Sequence, residues 1–422
     1  MELSALFVDF DAYFASAEQH MQPCLRGKPV GVAPIMAESS CCIAASYEAK
    51  AHGIKTGTRV SDARKLCPGI HIVEAQPARY VELHHRLVAA VESCIHVEAV
   101  LSIDEMWCWL PYNLRETETT LKIARNIKAA IHEQVGPWIN GSIGIAPNRW
   151  LAKMASKMRK PDGLLVIQAD DLPEILHELE LRDIHGVGRA MELRLHAHGL
   201  HDVRSLCLAD RRKLHTAWGS IEGDRLWLQL RGHEVPDVKT ERHSIGHSHV
   251  LAPDKRPPTE AMAVLHKLTQ KAGQRLRSHG MLACSFSISL QYLRGGHWVE
   301  EMRIEATDDA LTLARCASRL WKMRPHHAEP MLKISMVLGR LIHAGNHTPS
   351  LFSQLVQEHM EFEEDALDKD DAKRHALTEA MDKITGKFGR QSIYLGGAHG
   401  AMEAAPMRIS FGHIPDLDVE AD

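Results

Sequence analysis

Two adjacent carboxylates interrupt an otherwise apolar, β-prone stretch, and this pair restricts what the chain can fold into. Asp104 and Glu105 lie between residues 97–103 and 106–110. The pattern predicts a β-hairpin or a buried strand with a tight bend. A charged carboxylate is costly to bury unless it is paired, and two neighbouring carboxylates repel each other. A divalent metal ion would resolve both problems; turn caps and arginine partners are the alternatives.

A second acidic pair lies near the N terminus, where Asp9 and Asp11 follow the apolar residues Phe7 and Val8. As in the first stretch, carboxylate side chains lie in a predicted strand that is otherwise apolar. Three or four carboxylates on two adjacent strands can hold two Mg²⁺ ions, which is the arrangement used for in-line displacement at phosphorus. The two acidic stretches therefore predict a metal-dependent site.

The composition restricts the class of protein. A chain of 422 residues with 45% hydrophobic residues predicts two or more globular domains. No apolar run approaches the ~18 residues of a membrane span, and the acidic N terminus is unlike a signal peptide. Nine cysteines without a C-x-x-C pattern indicate a reducing compartment and argue against structural zinc. We expect a cytoplasmic protein with no membrane partner.

The charge is unevenly distributed along the chain. The formal net charge is -4, but residues 244–342 carry fourteen Lys and Arg against eight Asp and Glu, whereas residues 353–422 carry seven against fifteen. The basic segment favours contact with phosphates, and a solvated surface is the alternative.

A glycine-bearing connection precedes the helix predicted from Arg189 to His198. Gly186 and Gly188 leave backbone N–H groups exposed at the start of this helix, which predicts a helix-hairpin-helix that binds a DNA phosphate. An ordinary helix connection with glycine at a turn is the alternative.

Strands and helices alternate without a strict βαβ order, which indicates an α+β fold. Strands are predicted over residues 3–10, 30–32, 141–145, 247–251, 283–292, 298–304 and 331–341. The main helices are predicted over residues 12–20, 80–94, 121–135, 151–158, 260–276 and 309–323.

Four motifs, taken in order, resemble those of the Y-family (translesion) DNA polymerases, and the similarity covers residues 1–342. Residues 7–16 resemble the first palm motif, and residues 46–57 the fingers motif. Residues 102–105 are similar to the second palm motif, and residues 160–163 to the lysine turn that follows it.

The resemblance implies a right-hand polymerase. Its parts would be a palm (1–18 and 78–166), small fingers (19–77), a helical thumb carrying the helix-hairpin-helix (167–232), a linker (233–243), an α/β little finger (244–342) and a C-terminal extension (343–422).

The resemblance also implies roles for individual residues. Asp9, Asp104 and Glu105 would be catalytic and would hold two Mg²⁺ ions, helped by the Phe10 carbonyl. The residues expected to bind the dNTP are Tyr13, Phe14, Tyr47, Lys50 and Lys160, with Phe14 at the position of the steric gate against ribonucleotides. The expected contacts to primer-template DNA are Gly186, Gly188, Arg189, Ser244, Arg275 and Arg277.

The chain departs from the family pattern at several positions. Lys50 stands where arginine is usual, so a point charge replaces a bidentate phosphate contact. Ala44 stands where a threonine is frequent, and residues 106–109 differ from the more common Ala-Tyr-Leu-Asp. The metal ligands are unaffected.

The C-terminal extension has weaker similarities. Ser350, Leu351 and Phe352 resemble the end of the peptide by which bacterial polymerases bind the sliding clamp; a linker anchored by its two apolar residues is the alternative. The extension is loosely similar to that of the catalytic subunit of bacterial DNA polymerase V, which makes mutagenesis accessory proteins candidate partners.

The implied function is low-fidelity, template-directed DNA synthesis past damaged bases, in a bacterial cytoplasm and at the nucleoid. A weak or inactive relative that binds DNA and the replication or mutagenesis machinery is the alternative. The retained carboxylates favour the enzyme.

Overall fold

The computed structural model describes residues 2–237, 241–325, 330–346, 371–389 and 392–404, together with residues 409 and 414. The chain forms two compact units. One contains the described residues up to 237, and the other contains those from 241 to 404.

The first unit mixes short strands with helices. Its strands are β1 (Ala5–Phe10), β2 (Val30–Ala33), β3 (Ala44–Ala45), β4 (His71–Glu74), β5 (Ala99–Val100), β6 (Glu105–Trp109), β7 (Gly141–Ala146) and β8 (Leu164–Val166). Its helices are α1 (Tyr13–Met21), α2 (Tyr47–Lys50), α3 (Val60–Leu66), α4 (Pro77–Glu92), α5 (Thr117–Gln134), α6 (Arg149–Met158), α7 (Arg189–Ala197), α8 (Val203–Leu208), α9 (Arg211–Trp218) and α10 (Glu222–Gln229).

A five-stranded sheet in the order β5-β6-β1-β7-β8 forms the centre of this unit. Strand β1 is buried along its whole length and pairs antiparallel with both β6 and β7. Strands β5 and β6 also pair antiparallel, so the predicted hairpin around the acidic pair is confirmed. A second, smaller sheet has the order β3-β2-β4.

The second unit consists of a sheet covered on one side by helices. Its elements are β9 (Ser244–Val250), α11 (Pro258–Ser278), β10 (Met281–Tyr292), β11 (His297–Thr307), α12 (Ala310–Met323), β12 (Met331–Gly339), β13 (Ile342–His343) and α13 (Asp371–Phe388). The sheet has the order β11-β10-β12-β9, and one hydrophobic core joins it to α11 and α12.

The C-terminal segment packs against α11 within the second unit. Arg277 donates to both carboxylate oxygens of Asp382 on α13, at 2.5 and 2.9 Å, and Lys267 Nζ donates to the Met402 carbonyl at 2.6 Å. Ala401 is fully buried in the core of the unit. Helix α13 and residues 392–404 are therefore packed parts of the second unit. Most of the acidic segment 353–422 outside residues 371–404 lies beyond the residues that the structure describes.

None of the helices in the described ranges is both long enough and apolar enough to cross a membrane.

Helix α6 approaches β7 so closely that residue 144 can only be glycine. A Cβ added to Gly144 would lie 2.0 Å from the Ala152 carbonyl oxygen and 2.4 Å from the Ser156 nitrogen. Both atoms belong to the backbone of α6, so they cannot move aside as a flexible side chain would. The absence of a side chain at Gly144 thus sets the distance between α6 and the sheet.

We expect Gly144→Ala to destabilise the protein by about 1–3 kcal/mol, the usual cost of overpacking a core. Gly69→Ala is the matched control, because nothing lies within 4 Å of the added methyl group, and it should change the free energy of unfolding by less than about 0.5 kcal/mol. Denaturant unfolding followed by circular dichroism measures both. Equal stability of the two variants would contradict the close contact.

Candidate active site

Strand pairing brings Asp9, Asp104 and Glu105 together. Asp9 lies near the end of β1 and is directly opposite Glu105, the first residue of β6. The next residue, Phe10, donates its backbone N–H to the Asp104 carbonyl at 2.8 Å. The register of two neighbouring strands thus places three carboxylates at one end of the central sheet, with Asp9 only 5% exposed.

The bend that carries Asp104 is held by local hydrogen bonds. The backbone N–H groups of Leu101 and Ser102 both donate to the Glu105 carbonyl, at 2.9 and 3.2 Å. Ser102 Oγ donates to Asp104 Oδ1 at 2.6 Å. The two backbone hydrogen bonds fix the bend, and the hydrogen bond from Ser102 orients the Asp104 carboxylate.

Two lysines accompany the carboxylates. Lys160 Nζ lies 2.5 Å from Asp9 Oδ1 and 3.4 Å from Asp11 Oδ1, and Lys153 Nζ lies 2.8 Å from Glu105 Oε2. The cations beside the carboxylates are lysines, not the arginines considered as alternative partners. Lys153 was not predicted, because it lies on α6 and reaches Glu105 only through tertiary packing.

The carboxylates remain under electrostatic strain despite these cations. Burial raises the pKa of Asp9 to about 6, against the opposing effect of Lys160, and the charges of Asp104 and Glu105 raise it further. Burial also raises the pKa of Asp104, with a smaller contribution from Glu105. The site therefore favours any additional positive charge that can reach it.

The donor atoms fit a divalent metal ion. Carboxylate oxygens are the ligands that Mg²⁺ prefers, and burial, with smaller effects from Asp104 and Glu105, disfavours the charged form of Asp9 unless a cation accompanies it. Among the described residues, no three His, Cys, Asp or Glu side chains already converge as a metal-binding cluster. Lys160 and Lys153 instead occupy carboxylate oxygens, so a metal ion would have to exchange with them.

Asp11 links the acidic strand to its surroundings. Its carboxylate accepts hydrogen bonds from Ser142 Oγ at 2.9 Å and from the Asp162 backbone N–H at 2.7 Å. The Tyr47 hydroxyl donates to the same carboxylate at 3.4 Å. Asp11 thereby joins β1, β7, the turn after Lys160 and helix α2. Nothing in the sequence pattern pointed to Ser142.

Tyr47 and Lys50 lie together on α2, whose first turn is capped by Ser46. Lys50 Nζ is 4.1 Å from the centre of the Tyr47 ring, a cation–π contact. Burial lowers the pKa of Lys50, and the Lys160 charge adds to this effect. The lysine that replaces the usual arginine thus rests on the tyrosine expected to bind the same ligand.

Phe14 and Tyr13 follow the acidic strand at the start of α1. The Phe14 ring stacks on Tyr80 of α4, with centroids 4.9 Å apart. The Tyr13 hydroxyl donates to the Tyr80 carbonyl at 2.6 Å and is buried. Phe14 is only partly buried, whereas the Tyr13 hydroxyl is engaged in joining α1 to α4.

The residues predicted to contact DNA lie in both units. Gly188 is the N-cap of α7, Gly186 has a positive φ of 93°, and Arg189 is exposed. In the second unit, Ser244 begins β9 and is exposed, whereas Arg275 and Arg277 lie on α11. Arg277 is held by Asp382, so its guanidinium is already engaged by protein. Ser350, Leu351 and Phe352 lie outside the described residues.

Two family models match the chain. Residues 8–157 match the impB/mucB/samB family, and residues 242–351 match the C-terminal domain of the same family. The DNA polymerase IV of Moorella thermoacetica is 30% identical over 405 residues, covering 93% of this chain and 95% of its own length. The DNA polymerase IV of Bacillus velezensis is 27% identical over 417 residues, with coverage of 96% and 95%.

Solved structures share the fold. A chimera of the Y-family DNA polymerases Dbh and Dpo4 is similar with a TM-score of 0.67 at 22% identity, over 81% of this chain and 99% of that chain. A post-insertion binary complex of Dbh DNA polymerase has a TM-score of 0.53 at 23% identity, with the same coverage.

Carboxylates on two adjacent strands of a central sheet, at a position that favours a divalent cation, are typical of enzymes that transfer nucleotides with the help of metal ions. The similarity to DNA polymerases over nearly the whole chain identifies which of these enzymes it resembles. This chain belongs to the Y family of DNA polymerases. Membership of this family implies dependence on a divalent metal ion, and the relatives that cover nearly the whole chain are bacterial DNA polymerases IV.

Protons and divalent cations should compete at the acidic cluster, because the pKa of Asp9 is about 6. Mg²⁺ affinity should therefore fall by about tenfold for each pH unit below that value, as Asp9 takes up a proton. Calorimetric titration with Mg²⁺ at a series of pH values measures this. Asp254→Asn, at an exposed aspartate of the second unit, should leave the dependence unchanged. An affinity that is flat across this range would contradict the pKa of Asp9.

Proposed function

We propose that this protein is a template-directed DNA polymerase that carries out translesion synthesis, joining a dNTP to a primer 3′-OH with two Mg²⁺ ions. The observation that supports this most strongly is the pairing of Asp9 with Glu105 beside Asp104. Family membership supplies the reaction class, and this geometry supplies the oxygen ligands that the reaction requires.

The proposed ligands are the carboxylates of Asp9, Asp104 and Glu105, together with the Phe10 carbonyl. When bound, two Mg²⁺ ions activate the primer hydroxyl and neutralise charge on the leaving pyrophosphate. The buried surroundings strengthen every electrostatic interaction at this position, because water is largely excluded. Lys160 and Lys153 would then be available to phosphate oxygens.

The triphosphate would be held by Tyr47, Lys50 and Lys160. The hydrogen bond from the Tyr47 hydroxyl to Asp11 is long, at 3.4 Å. The hydroxyl can therefore donate to a phosphate oxygen instead. Lys50 and Lys160 both interact electrostatically with Asp11, and each can leave its present partner for a more strongly charged one. A triphosphate would thus draw the residues of α2 and of the lysine turn onto a common ligand.

We assign the parts of a right hand to the observed elements. The sheet β5-β6-β1-β7-β8 with α4, α5 and α6 is the palm, and the small sheet β3-β2-β4 with α2 and α3 is the fingers. Helices α7 to α10 are the thumb, and the second unit is the little finger with part of the extension. Because the fingers (residues 19–77) are small, they would press lightly on the new base pair, which agrees with low fidelity and tolerance of damaged templates.

DNA would be held through its backbone by both units. The exposed amides around Gly186 and Gly188, with Arg189, can receive a phosphate. In the second unit, the sheet face away from the helices carries small exposed residues, among them Ser244, Gly246 and Ser248. Small residues allow a backbone to approach closely, and contacts of this kind do not depend on base sequence.

The alternative of an inactive accessory protein is not favoured. Such a protein could lose its metal ligands without penalty, whereas this chain retains all three, although burial raises the pKa of Asp9 and of Asp104. Because the proposed enzyme would act on chromosomal DNA, we expect it in the bacterial cytoplasm, at the nucleoid. Mutagenesis accessory proteins remain candidate partners.

Replacing Asp104 tests the reaction. Asp104→Asn should reduce Mg²⁺-dependent primer extension by at least about a hundredfold, because one ligand of the metal site is lost. Binding of primer-template DNA, followed by fluorescence anisotropy, should be unchanged. Asp62→Asn, at an exposed aspartate of α3, is the matched control. Extension at the normal rate by Asp104→Asn would refute the proposed site.

Replacing Phe14 tests sugar selection. Phe14→Ala should raise the kcat/KM for ribonucleotides relative to deoxyribonucleotides by about a hundredfold or more, because the ring no longer collides with a 2′-OH. Single-nucleotide insertion kinetics measure this ratio. Tyr112→Ala removes an aromatic ring that is 77% exposed and should not alter it. Unchanged discrimination in Phe14→Ala would show that Phe14 is not the gate.

We also propose that Ser350, Leu351 and Phe352 bind the sliding clamp, on the basis of their sequence pattern. Deleting the three residues should lower clamp-stimulated extension and leave basal extension intact. A loss of both to the same extent would instead indicate a structural role.

A further inference from the structure

His84 lies in the interior of the first unit, facing the bend that carries the acidic pair. It belongs to α4 and is 2% exposed, and its Nδ1 atom is 2.8 Å from the Ile103 carbonyl oxygen. Because a carbonyl can only accept, Nδ1 must carry the hydrogen. Burial lowers the pKa of His84 to about 4, so the ring is neutral at physiological pH and this nitrogen is its donor.

The hydrogen bond from His84 completes the anchoring of Asp104 from both sides. The peptide group before Asp104 is held through the Ile103 carbonyl by α4, and the peptide group after it is held through the Asp104 carbonyl by the Phe10 N–H of β1. With both flanking peptides fixed, the Cα–Cβ bond of Asp104 has one direction, and Ser102 Oγ then orients the carboxylate itself.

We propose that His84 is a positioning residue of the active site, which uses its Nδ1–H to fix the peptide before Asp104 and so aims that carboxylate at the metal position. The inference deepens the proposed function and rests on it. The hydrogen bond of His84 is made to the Ile103 carbonyl, so His84 would act on Asp104 through that peptide group.

A purely space-filling role is the competing explanation, because a buried ring on α4 also packs the core. The two explanations differ in what a substitution changes. A space-filling role depends on volume and would alter stability in general. A positioning role depends on a donor at one point, so it would alter the metal requirement and kcat while the KM for dNTP and DNA affinity stay constant.

Two polar variants of similar size separate these explanations. His84→Asn places an amide N–H donor where Nδ1 lies, whereas His84→Gln places it near the Nε2 position. We expect His84→Asn to retain kcat within about threefold, and His84→Gln to lose about tenfold, the scale of a small misplacement of a catalytic group. The Mg²⁺ concentration at half-maximal rate should rise in His84→Gln only. His85→Gln, at the exposed neighbour, is the control and should behave as the wild type.

Equal kinetics of the Asn and Gln variants would overturn the proposal, as would a parallel loss of kcat, dNTP affinity and DNA affinity in His84→Gln. A readout independent of catalysis is the hydrogen–deuterium exchange of a peptide spanning residues 101–105. Exchange should be faster in His84→Gln and unchanged in His84→Asn. If the wild type extends no primer, the proposed function fails, but the exchange experiment still tests whether His84 fixes the bend.

Discussion

The repulsion between the buried carboxylate of Asp9 and the partly buried carboxylates of Asp104 and Glu105 is the constraint that the surroundings of the first unit must satisfy. Asp9 and Glu105 are adjacent because antiparallel pairing makes them so, and the fold cannot separate them without breaking the central sheet. The surroundings compensate in three ways: lysines supply charge, Asp11 receives hydrogen bonds from three elements, and the bend before Glu105 is closed by its own backbone. A site of this kind gives up stability for function.

Close packing decides whether the compensating charges can reach the acids. Lys153 is carried by α6, and α6 lies against β7 because Gly144 has no side chain in the way. The distance between α6 and β7 therefore determines whether Lys153 of α6 can form its ion pair with Glu105 of β6. In the same manner, the Ser142 hydroxyl of β7 reaches Asp11 because β7 is the immediate neighbour of β1.

Much of this could be predicted from the sequence, and the limits have physical causes. The α+β class, the Y-family membership and the hairpin around Asp104 and Glu105 are confirmed, because each depends on local pattern or on ordered motifs. The pairing of Lys153 with Glu105, of Ser142 with Asp11 and of His84 with the Ile103 carbonyl could not be predicted, because these are tertiary contacts with no fixed sequence spacing. The basic character of the segment containing Arg277 suggested nucleic acid, but charge composition cannot show that Asp382, over a hundred residues later, already neutralises that guanidinium.

The packing of residues 392–404 on α11 has a consequence for truncation of the chain. Ala401 is fully buried, and Gly397 lies so close to His266 of the helix that a Cβ at this position would be only 2.9 Å from the imidazole ring. A premature stop codon after β13 would leave this apolar strip open to water, and exposed strips of that kind attract chaperones, proteases or other unfolded chains. Residues 392–404 thus cover an apolar surface of α11 that belongs to the core of the second unit.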